Sequence, residues 1–303
     1  MTDEPSVCVL LPTLNEEATV GVVVDDFRDE GFENILVIDG GSSDNTQHLA
    51  EEAGARVVTQ SGSGKGQAIF EAVTDYIEAD IILMADADAT YRASEARVMI
   101  DPLLDGADHV IGNRFANIHP DAMSRLNRAG NKIINDTFSY IHGQQLVDIL
   151  SGYRAFTRDS FLEINPDRDG FGIETELAVE SVRHGQTVVV VPIHYDPRPS
   201  GSATNLRPFR DGSVIFLTLY RLTRTNNPLF FFGSLGFLST FVGSFIAAFV
   251  GYRWFWDGVS HEVLAVVGSF GIIFGVQLLM FGLLSDLIVK LHREQMQYLD
   301  ERN

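Results

Sequence analysis

Two long uncharged segments in the C-terminal third constrain the fold of this chain more than any other feature. Residues 229–252 include no charged side chain, and residues 263–289 include only one, Asp286. A helix that crosses a bilayer needs about 20 predominantly apolar residues, so each segment predicts a transmembrane helix. Core helices of a soluble protein are the alternative, but two such runs in tandem are rare there. The link at 253–262 includes Trp254 and Trp256, which predicts an external turn with interfacial aromatic side chains.

Basic residues flank the two predicted spans. They precede the first span and follow the second, at Arg207, Arg210, Arg221, Arg224, Lys290 and Arg293. Because Lys and Arg are enriched in cytoplasmic loops, this distribution predicts a multi-pass cell-membrane protein with both termini on the cytoplasmic side. The sequence thus predicts a cytoplasmic domain over residues 1–206, an interfacial amphipathic segment over 207–228, and a membrane anchor over 229–303.

The net charge is concentrated in the first of these parts. The whole chain has net charge −19, and residues 207–303 carry eight Lys and Arg against seven Asp and Glu, so residues 1–206 have net charge −20. This excludes a basic nucleic-acid-binding protein, and the 45% hydrophobic content excludes an intrinsically disordered chain. Acidity on this scale is typical of halophilic proteins, although it also serves solubility alone. The single cysteine excludes an intramolecular disulfide.

Short apolar runs alternate with amphipathic stretches through the first part. The apolar runs predict buried strands at residues 6–11, 34–38, 56–59, 81–84, 109–111 and 188–191. Helical stretches lie between the early runs, at 16–30, 44–53 and 66–78. This alternation predicts an α/β fold with a mostly parallel sheet. Ligands of such sheets bind beyond the C-terminal ends of the strands, which is where the polar motifs of this chain lie.

Polar motifs follow the second and third predicted strands. The second strand ends at Asp39, whose carboxylate can accept hydrogen bonds from a ribose or a base, and Gly40 and Gly41 then permit a tight turn. Asp44, further along, either binds ligand or caps the next helix. The loop at 62–66 contains Lys65 among glycines, which suits a phosphate although the Walker A spacing is absent.

The fourth predicted strand ends in an Asp-x-Asp motif. Asp86 and Asp88 point the same way on an extended chain, and two neighbouring carboxylates repel unless a cation lies between or before them. Oxygen ligands of this kind suit Mg²⁺ or Mn²⁺, with a diphosphate completing the coordination. Later arginines beside Gly and Ser turns, at Arg114, Arg154 and Arg198, predict an oxyanion ligand, with surface ion pairs as the alternative.

Taken in order, these motifs resemble family 2 glycosyltransferases of the GT-A fold, and more narrowly the dolichol- and polyprenol-phosphate hexosyltransferases. The resemblance covers about residues 6–206, and the two spans are similar to the membrane anchors of several members. The matching motifs are Pro12-Thr13-Leu14-Asn15-Glu16, Asp39-Gly40-Gly41-Ser42-Ser43-Asp44, Asp86-Ala87-Asp88, Gly112-Asn113-Arg114 and Ser151-Gly152-Tyr153-Arg154-Ala155.

The resemblance implies a role for each matched residue. The nucleotide sugar would contact Pro12, Leu14, Asn15, Glu16, Asp39, Gly41, Lys65 and Asp86. A metal ion, Mg²⁺ or Mn²⁺, would be held by Asp86 and Asp88. The acceptor phosphate would face Arg114, Ser151, Arg154 and Arg198. The catalytic set would be Asp88, Arg114, Asp148 and Arg154. Thr90 departs from the mannose enzymes, in which a Gln at this position ligates the metal, and the lysine of their later Arg-x-x-Gly-x-Ser-Lys run is absent.

The expected reaction is the inverting transfer of a hexose from a nucleotide sugar to dolichyl phosphate, the lipid-charging step of N-glycosylation. The Gly64-Lys65-Gly66 and Met84–Thr90 segments resemble the glucose branch, which favours UDP-glucose as donor. The alternatives are a GDP-mannose-dependent enzyme, transfer to another lipid acceptor, or a non-catalytic membrane scaffold. With a phosphate acceptor, Asp148 and Glu174 would have only positioning roles. A hydroxyl acceptor would require a general base, for which these two residues are the candidates.

Overall fold

The computed structural model describes residues 5–166, 172–199 and 228–300. The chain divides into two compact units, residues 1–218 and 219–303. The predicted interfacial segment 207–228 lies outside the described residues except for Pro228, so its amphipathic character stays a prediction.

The first unit is built on one seven-stranded sheet in the order β3-β2-β1-β4-β6-β5-β7. Its strands are β1 (Val7–Thr13), β2 (Ile35–Asp39), β3 (Arg56–Thr59), β4 (Ile81–Met84), β5 (His109–Ile118), β6 (Arg154–Thr157) and β7 (Val188–Tyr195). All neighbours pair in parallel except β6, which is antiparallel to both β4 and β5. This confirms the mostly parallel α/β fold. The strand β6 is additional, because a run of four residues that begins with arginine gives no strand pattern.

The helices of the first unit are α1 (Val20–Asp29), α2 (Thr46–Glu52), α3 (Lys65–Glu71), α4 (Ala96–Leu104), α5 (Arg125–His142), α6 (Arg158–Ile164) and α7 (Ile173–Arg183). A single π-helical turn, Ala72–Tyr76, continues α3. The helix predicted from residue 16 begins four residues later, because Asn15 has a positive φ of 56° and residues 16–19 form a turn.

Apolar residues of the central strands alternate between two core layers. Val9, Leu11 and Leu83 pack into the layer on one face of the sheet, and Leu10 and Ile82 pack into the other. Burial of strands on both faces is the expected consequence of continuous apolar runs. The register pairs Thr13 with Asp39 at the ends of β1 and β2. The loops that follow β1, β2 and β4 therefore leave the sheet at the same edge, where the candidate site lies.

The described residues of the second unit form two long helices, α8 (Pro228–Asp257) and α9 (Glu262–Asp300). Both contain windows apolar and long enough to cross a membrane, and only 11% of each window is buried within the protein. That low burial separates them from the core helices of a soluble protein. The predicted spans 229–252 and 263–289 fall inside these helices.

Glycines allow α8 and α9 to pack closely. A Cβ added at Gly243 would lie 2.7 Å from the carbonyl oxygen of Gly268, and one at Gly236 would lie 2.7 Å from that of Gly275. The Ser239 hydroxyl donates a hydrogen bond of 2.8 Å to the Gly271 carbonyl. Small residues of this kind are typical of helix pairs in membranes, where close backbone approach replaces the hydrophobic effect.

We predict that Gly243→Ala destabilises the helix pair, because the new methyl group would collide with backbone atoms of α9. Overpacking of this kind costs about 1–3 kcal/mol. The measurement is thermal unfolding in detergent. Gly251→Ala on the same helix is the matched control, since nothing lies within 4 Å of its added Cβ. Equal stability of the two variants would contradict the proposed packing.

Candidate active site

The loops after β1 and β2 are joined by reciprocal hydrogen bonds. The Asn15 amide donates to the Ser42 hydroxyl at 2.8 Å, and the Asn15 side-chain oxygen accepts from the Ser43 amide at 2.8 Å. The Glu16 amide donates to the Thr46 hydroxyl, also at 2.8 Å. Leu14 is 45% exposed at the tip of the turn. This arrangement holds the predicted nucleotide-binding residues of the first loop on a fixed backbone.

Asp39 organises the second of these loops. Its buried carboxylate accepts hydrogen bonds from the amides of Gly41 and Ser42, the hydroxyls of Ser42 and Thr13, and the side-chain amide of Gln47. Burial opposes ionisation, but these donors together hold the pKa of Asp39 below its ordinary value. Contact between Asp39 and a ribose or base stays a prediction. In the described structure, the Asp39 carboxylate fixes the conformation of the loop after β2.

Lys65 connects two acidic side chains that are distant in sequence. Its ammonium nitrogen lies 2.5 Å from Asp86 Oδ1 and 2.6 Å from Glu174 Oε1. Although burial opposes the charge, the two carboxylates hold the pKa of Lys65 above its ordinary value, so the side chain remains a cation. Sequence analysis predicted a positioning role for Glu174, and a role as base only for a hydroxyl acceptor. Its pairing with Lys65 leaves no local signal, because the two residues are separated by 109 positions.

Asp88 is fixed by contacts on both of its oxygens. Oδ1 accepts from the amide and hydroxyl of Thr90, and Oδ2 lies 2.7 Å from Nη2 of Arg198. Burial and the neighbouring charge of Asp86 raise the pKa of Asp88, while Arg198 and Thr90 act in the opposite direction. Arg198 also lies 3.4 Å from Glu16. Thr90, the residue that departs from the mannose enzymes, thus orients the second aspartate of the motif.

The side chains present suit a divalent cation only in part. Asp86 and Asp88 supply two carboxylates, whose oxygens are the ligands that Mg²⁺ and Mn²⁺ prefer. Among the described residues, no group of three or more His, Cys, Asp or Glu side chains is suited to hold a metal ion. The two aspartates would supply part of the coordination of a metal ion, and the oxygens of a diphosphate could supply more of it.

Arg114 and Asp148 form a buried bidentate pair. Nε and Nη2 of Arg114 each donate to one oxygen of Asp148 at 2.8 Å, and the Arg114 amide donates at 3.0 Å. The guanidinium carbon lies 5.3 Å from the centre of the Tyr195 ring. Arg114 is 8% exposed and Asp148 is fully buried. Contact of Arg114 with an acceptor phosphate stays a prediction, and Asp148 is engaged in holding that guanidinium.

Arg154 lies in the core beside the candidate site, and its contact with an acceptor phosphate stays a prediction. It is fully buried, and its nitrogens donate to the carbonyls of Ser151 at 2.9 Å and Ile149 at 2.6 Å and to Nε2 of His109 at 3.2 Å. Burial lowers the pKa of Arg154 to about 10, with Glu174 and Asp148 opposing the shift. Arg154 and the buried Ser151 therefore shape the loop that presents Asp148. No sequence signal identified His109, whose Nδ1 lies 3.0 Å from the Ser181 hydroxyl.

Gly152 completes the surroundings of Asp86. A Cβ at this position would collide with the Asp86 carboxylate, so only glycine allows the approach. The structure thus brings together Asp86, Asp88, Lys65 and Arg198 at one sheet edge, with Glu16 and Glu174 beside them. It places Arg114 with Asp148, and Arg154 beneath the site in the core.

Comparison with known proteins identifies the family to which this chain belongs. The sequence model of Glycosyl transferase family 2 matches residues 8–164. The chain belongs to this family. Glycosyltransferase AglJ of Haloferax volcanii is 61% identical over 301 residues, which cover 99% of each chain. A dolichyl-phosphate hexose transferase of the same organism is 32% identical over 209 residues, covering 68% of this chain and 89% of that protein.

Solved structures share the fold of this chain. Glucosyl-3-phosphoglycerate synthase from Mycobacterium tuberculosis, in complex with Mn²⁺, UDP-glucose and phosphoglyceric acid, has a TM-score of 0.61 at 22% identity. The match covers 72% of this family 2 chain and 80% of that one. At this level of identity the likeness establishes the fold.

We predict that His109 makes the stability of the protein depend on pH. Burial and the adjacent Arg154 hold the pKa of His109 well below its ordinary value. In the unfolded chain His109 takes up a proton near pH 6.5, whereas in the folded protein it stays neutral to a lower pH. The full contribution of His109 to the free energy of unfolding is therefore present above pH 6.5. It is lost as the pH falls from 6.5 towards the pKa of the folded state. The slope is about 1.4 kcal/mol per pH unit.

The measurement is denaturant unfolding of the full chain in detergent and high salt, between pH 5 and 7.5. His109→Gln keeps an acceptor for Arg154 but does not titrate, so its stability should depend less steeply on pH. Parallel profiles for the two proteins would contradict the assignment.

Proposed function

We propose that this chain transfers a hexose from a nucleotide sugar to a membrane-embedded polyprenyl phosphate, with UDP-glucose and dolichyl phosphate as the substrates. The observation that carries the proposal is the pairing of Asp86 and Asp88 with Lys65 and Arg198, in a chain with two membrane-spanning candidates. Cations beside a carboxylate pair suit a metal-bound diphosphate. The apolar helices suit an acceptor that resides in the membrane.

The reaction is a direct displacement at the anomeric carbon. A phosphate oxygen of the acceptor forms the new bond to that carbon while the bond to the nucleoside diphosphate breaks, which inverts the configuration. A phosphate monoester has its second pKa near ~6, so the acceptor is mostly dianionic at neutral pH and needs no strong base. This agrees with Asp148 and Glu174, which are engaged by Arg114 and Lys65. A hydroxyl acceptor, the competing possibility, would need one of them as a base.

Negative charge develops on the departing diphosphate, and the site has cations to meet it. Lys65 and Arg198 lie at the two carboxylates of the motif and would bind the diphosphate oxygens. Mg²⁺ or Mn²⁺ held by Asp86 and Asp88 would neutralise further charge on the leaving group. Arg114, if its remaining nitrogen reaches the acceptor, would orient the attacking phosphate, and Arg154 would fix the loop beneath it.

The membrane-facing part of the proposal is supported by α5. Leu126, Ile133 and Tyr140 are 57%, 60% and 75% exposed and lie seven residues apart, so they form one apolar stripe along the helix. Arg125 and Lys132 accompany them in a domain that is otherwise strongly acidic. Such a helix suits the surface of an anionic membrane. With α8 and α9 spanning the bilayer, the basic flanks favour a cytoplasmic first unit.

The choice of sugar rests on relatives and on sequence resemblance. The Lys65 loop resembles the glucose branch, and the related Mycobacterium tuberculosis enzyme is solved with UDP-glucose. The Haloferax volcanii relative named as a dolichyl-phosphate hexose transferase supports a phosphorylated polyprenol as acceptor. A place in haloarchaeal N-glycosylation is part of the same proposal.

The test is a transfer assay with purified full chain in detergent and high salt. Labelled UDP-glucose, UDP-N-acetylglucosamine and GDP-mannose are offered separately with Mg²⁺ or Mn²⁺, with and without EDTA. Dolichyl phosphate is the acceptor, and dolichol is the matched control that lacks only the phosphate. We expect label from UDP-glucose in the lipid phase, only with dolichyl phosphate and only without EDTA.

Variants in the same assay test the role of Asp88. Asp88→Asn should lower transfer by at least about 100-fold, because the electrostatic support of the leaving group is lost. Asp105→Asn, at an exposed carboxylate after α4, should retain wild-type activity. Transfer to dolichol would favour the hydroxyl-acceptor enzyme, and preference for GDP-mannose would correct the donor. Binding of a nucleotide sugar without transfer would favour the scaffold.

A further inference from the structure

The segment after β7 is attached to the turn that follows the Asp-x-Asp motif. Residues 196–199, here called the β7 tail, begin at Asp196, whose amide donates to the Thr90 carbonyl at 3.0 Å. Arg92 clamps the same residue: its Nε and Nη2 donate to the two oxygens of Asp196 at 2.6 and 3.0 Å. One bidentate pair therefore joins two segments that are 104 residues apart in sequence.

A second contact secures the end of the strand itself. The His194 amide donates to the Glu95 carboxylate at 2.9 Å, and Nδ1 of His194 lies 2.7 Å from Oε1 of the same side chain. Both anchors, Arg92 and Glu95, come from the short stretch directly after Asp88. The chain that carries Arg198 is thus tied to the chain that carries Asp88.

The consequence is geometrical. Two residues after Asp196, Arg198 reaches Asp88 Oδ2 at 2.7 Å and Glu16 Oε1 at 3.4 Å. An arginine side chain has many rotamers, so a contact at one carboxylate oxygen depends on where its backbone is held. The bidentate clamp supplies that constraint, because a fork of two parallel hydrogen bonds fixes orientation as well as distance.

We propose that Arg92 and Asp196 are positioning residues that hold Arg198 at Asp88, and that through Arg198 they set the affinity for the nucleoside diphosphate. This inference rests on the proposed function. Arg92 and Asp196 themselves touch neither substrate nor metal. Their part is to keep the cation of the β7 tail beside the carboxylate of the motif.

A purely stabilising role predicts a different behaviour. The Arg92 and Asp196 side chains are 45% and 31% exposed, and exposed ion pairs contribute only ~0–1 kcal/mol to stability. Loss of the pair should therefore leave the fold intact, and a large effect on nucleotide binding would not come from unfolding. Arg183 is the matched control, since it is also 45% exposed and pairs with a carboxylate, that of the largely buried Glu180 in α7.

The experiment is a double-mutant cycle on the full chain in detergent and high salt. The variants are Arg92→Ala, Arg198→Ala, the double variant and Arg183→Ala. Binding of UDP with Mn²⁺ is measured by calorimetry, and transfer is measured by kcat and KM. We expect Arg92→Ala to weaken UDP binding about 10-fold, Arg198→Ala to weaken it more, and Arg183→Ala to change nothing.

The decisive result is non-additivity. If Arg92 acts through Arg198, the double variant should bind UDP no more weakly than Arg198→Ala alone. The charge-swapped Arg92→Asp/Asp196→Arg variant should recover most of the affinity lost in Arg92→Ala, with an unchanged melting temperature throughout.

The results that would contradict the positioning role differ from those that would contradict the proposed function. The positioning role would be overturned if the losses of UDP affinity in the two single variants multiplied in the double variant. It would also be overturned if Arg92→Ala bound UDP as tightly as wild type. Neither result would contradict the proposed transfer reaction. Wild-type protein that binds no nucleoside diphosphate would overturn the proposed function and this inference together.

Discussion

Asp86 and Asp88 place two like charges side by side at the end of a buried strand, and the surrounding structure follows from the need to balance them. Ionised carboxylates removed from water are unfavourable unless cations or hydrogen-bond donors compensate. Lys65 and Arg198 supply the cations, and Thr90 supplies donors. In the proposed function, a metal ion would balance the two carboxylates, and Lys65 and Arg198 would bind the diphosphate.

The topology of the sheet explains how residues far apart in sequence meet there. The loops after β1, β2 and β4 leave one edge of a mostly parallel sheet, and the antiparallel β6 begins at that same edge, between β4 and β5. Gly152 consequently lies against Asp86, where a side chain would not fit. Beneath it, Arg154 links the carbonyls of the 149–151 loop to His109 in the core.

Elements with a strong local signal were predictable from the sequence. The continuous apolar runs predicted six of the seven strands, and their ends predicted the sheet edge that carries the motifs. The strand β6 was not predictable, because its four residues include Arg154, whose burial depends on partners elsewhere in the fold. The partners of Lys65, Arg114 and Arg198 were not predictable for the same reason: an ion pair between residues 21 or more positions apart leaves no local sequence pattern. Family resemblance suggested which residues matter, but their mutual contacts required the structure.

The measurement that tests this account most directly is Mn²⁺ binding followed by electron paramagnetic resonance, with and without UDP. Two carboxylates alone should hold Mn²⁺ weakly, and UDP should increase the bound fraction because its diphosphate completes the coordination. Asp88→Asn should abolish that increase, whereas Asp105→Asn should preserve it. If Mn²⁺ binding is unaffected by UDP, or survives unchanged in Asp88→Asn, the charge-balanced edge of β4 is not the metal–diphosphate site.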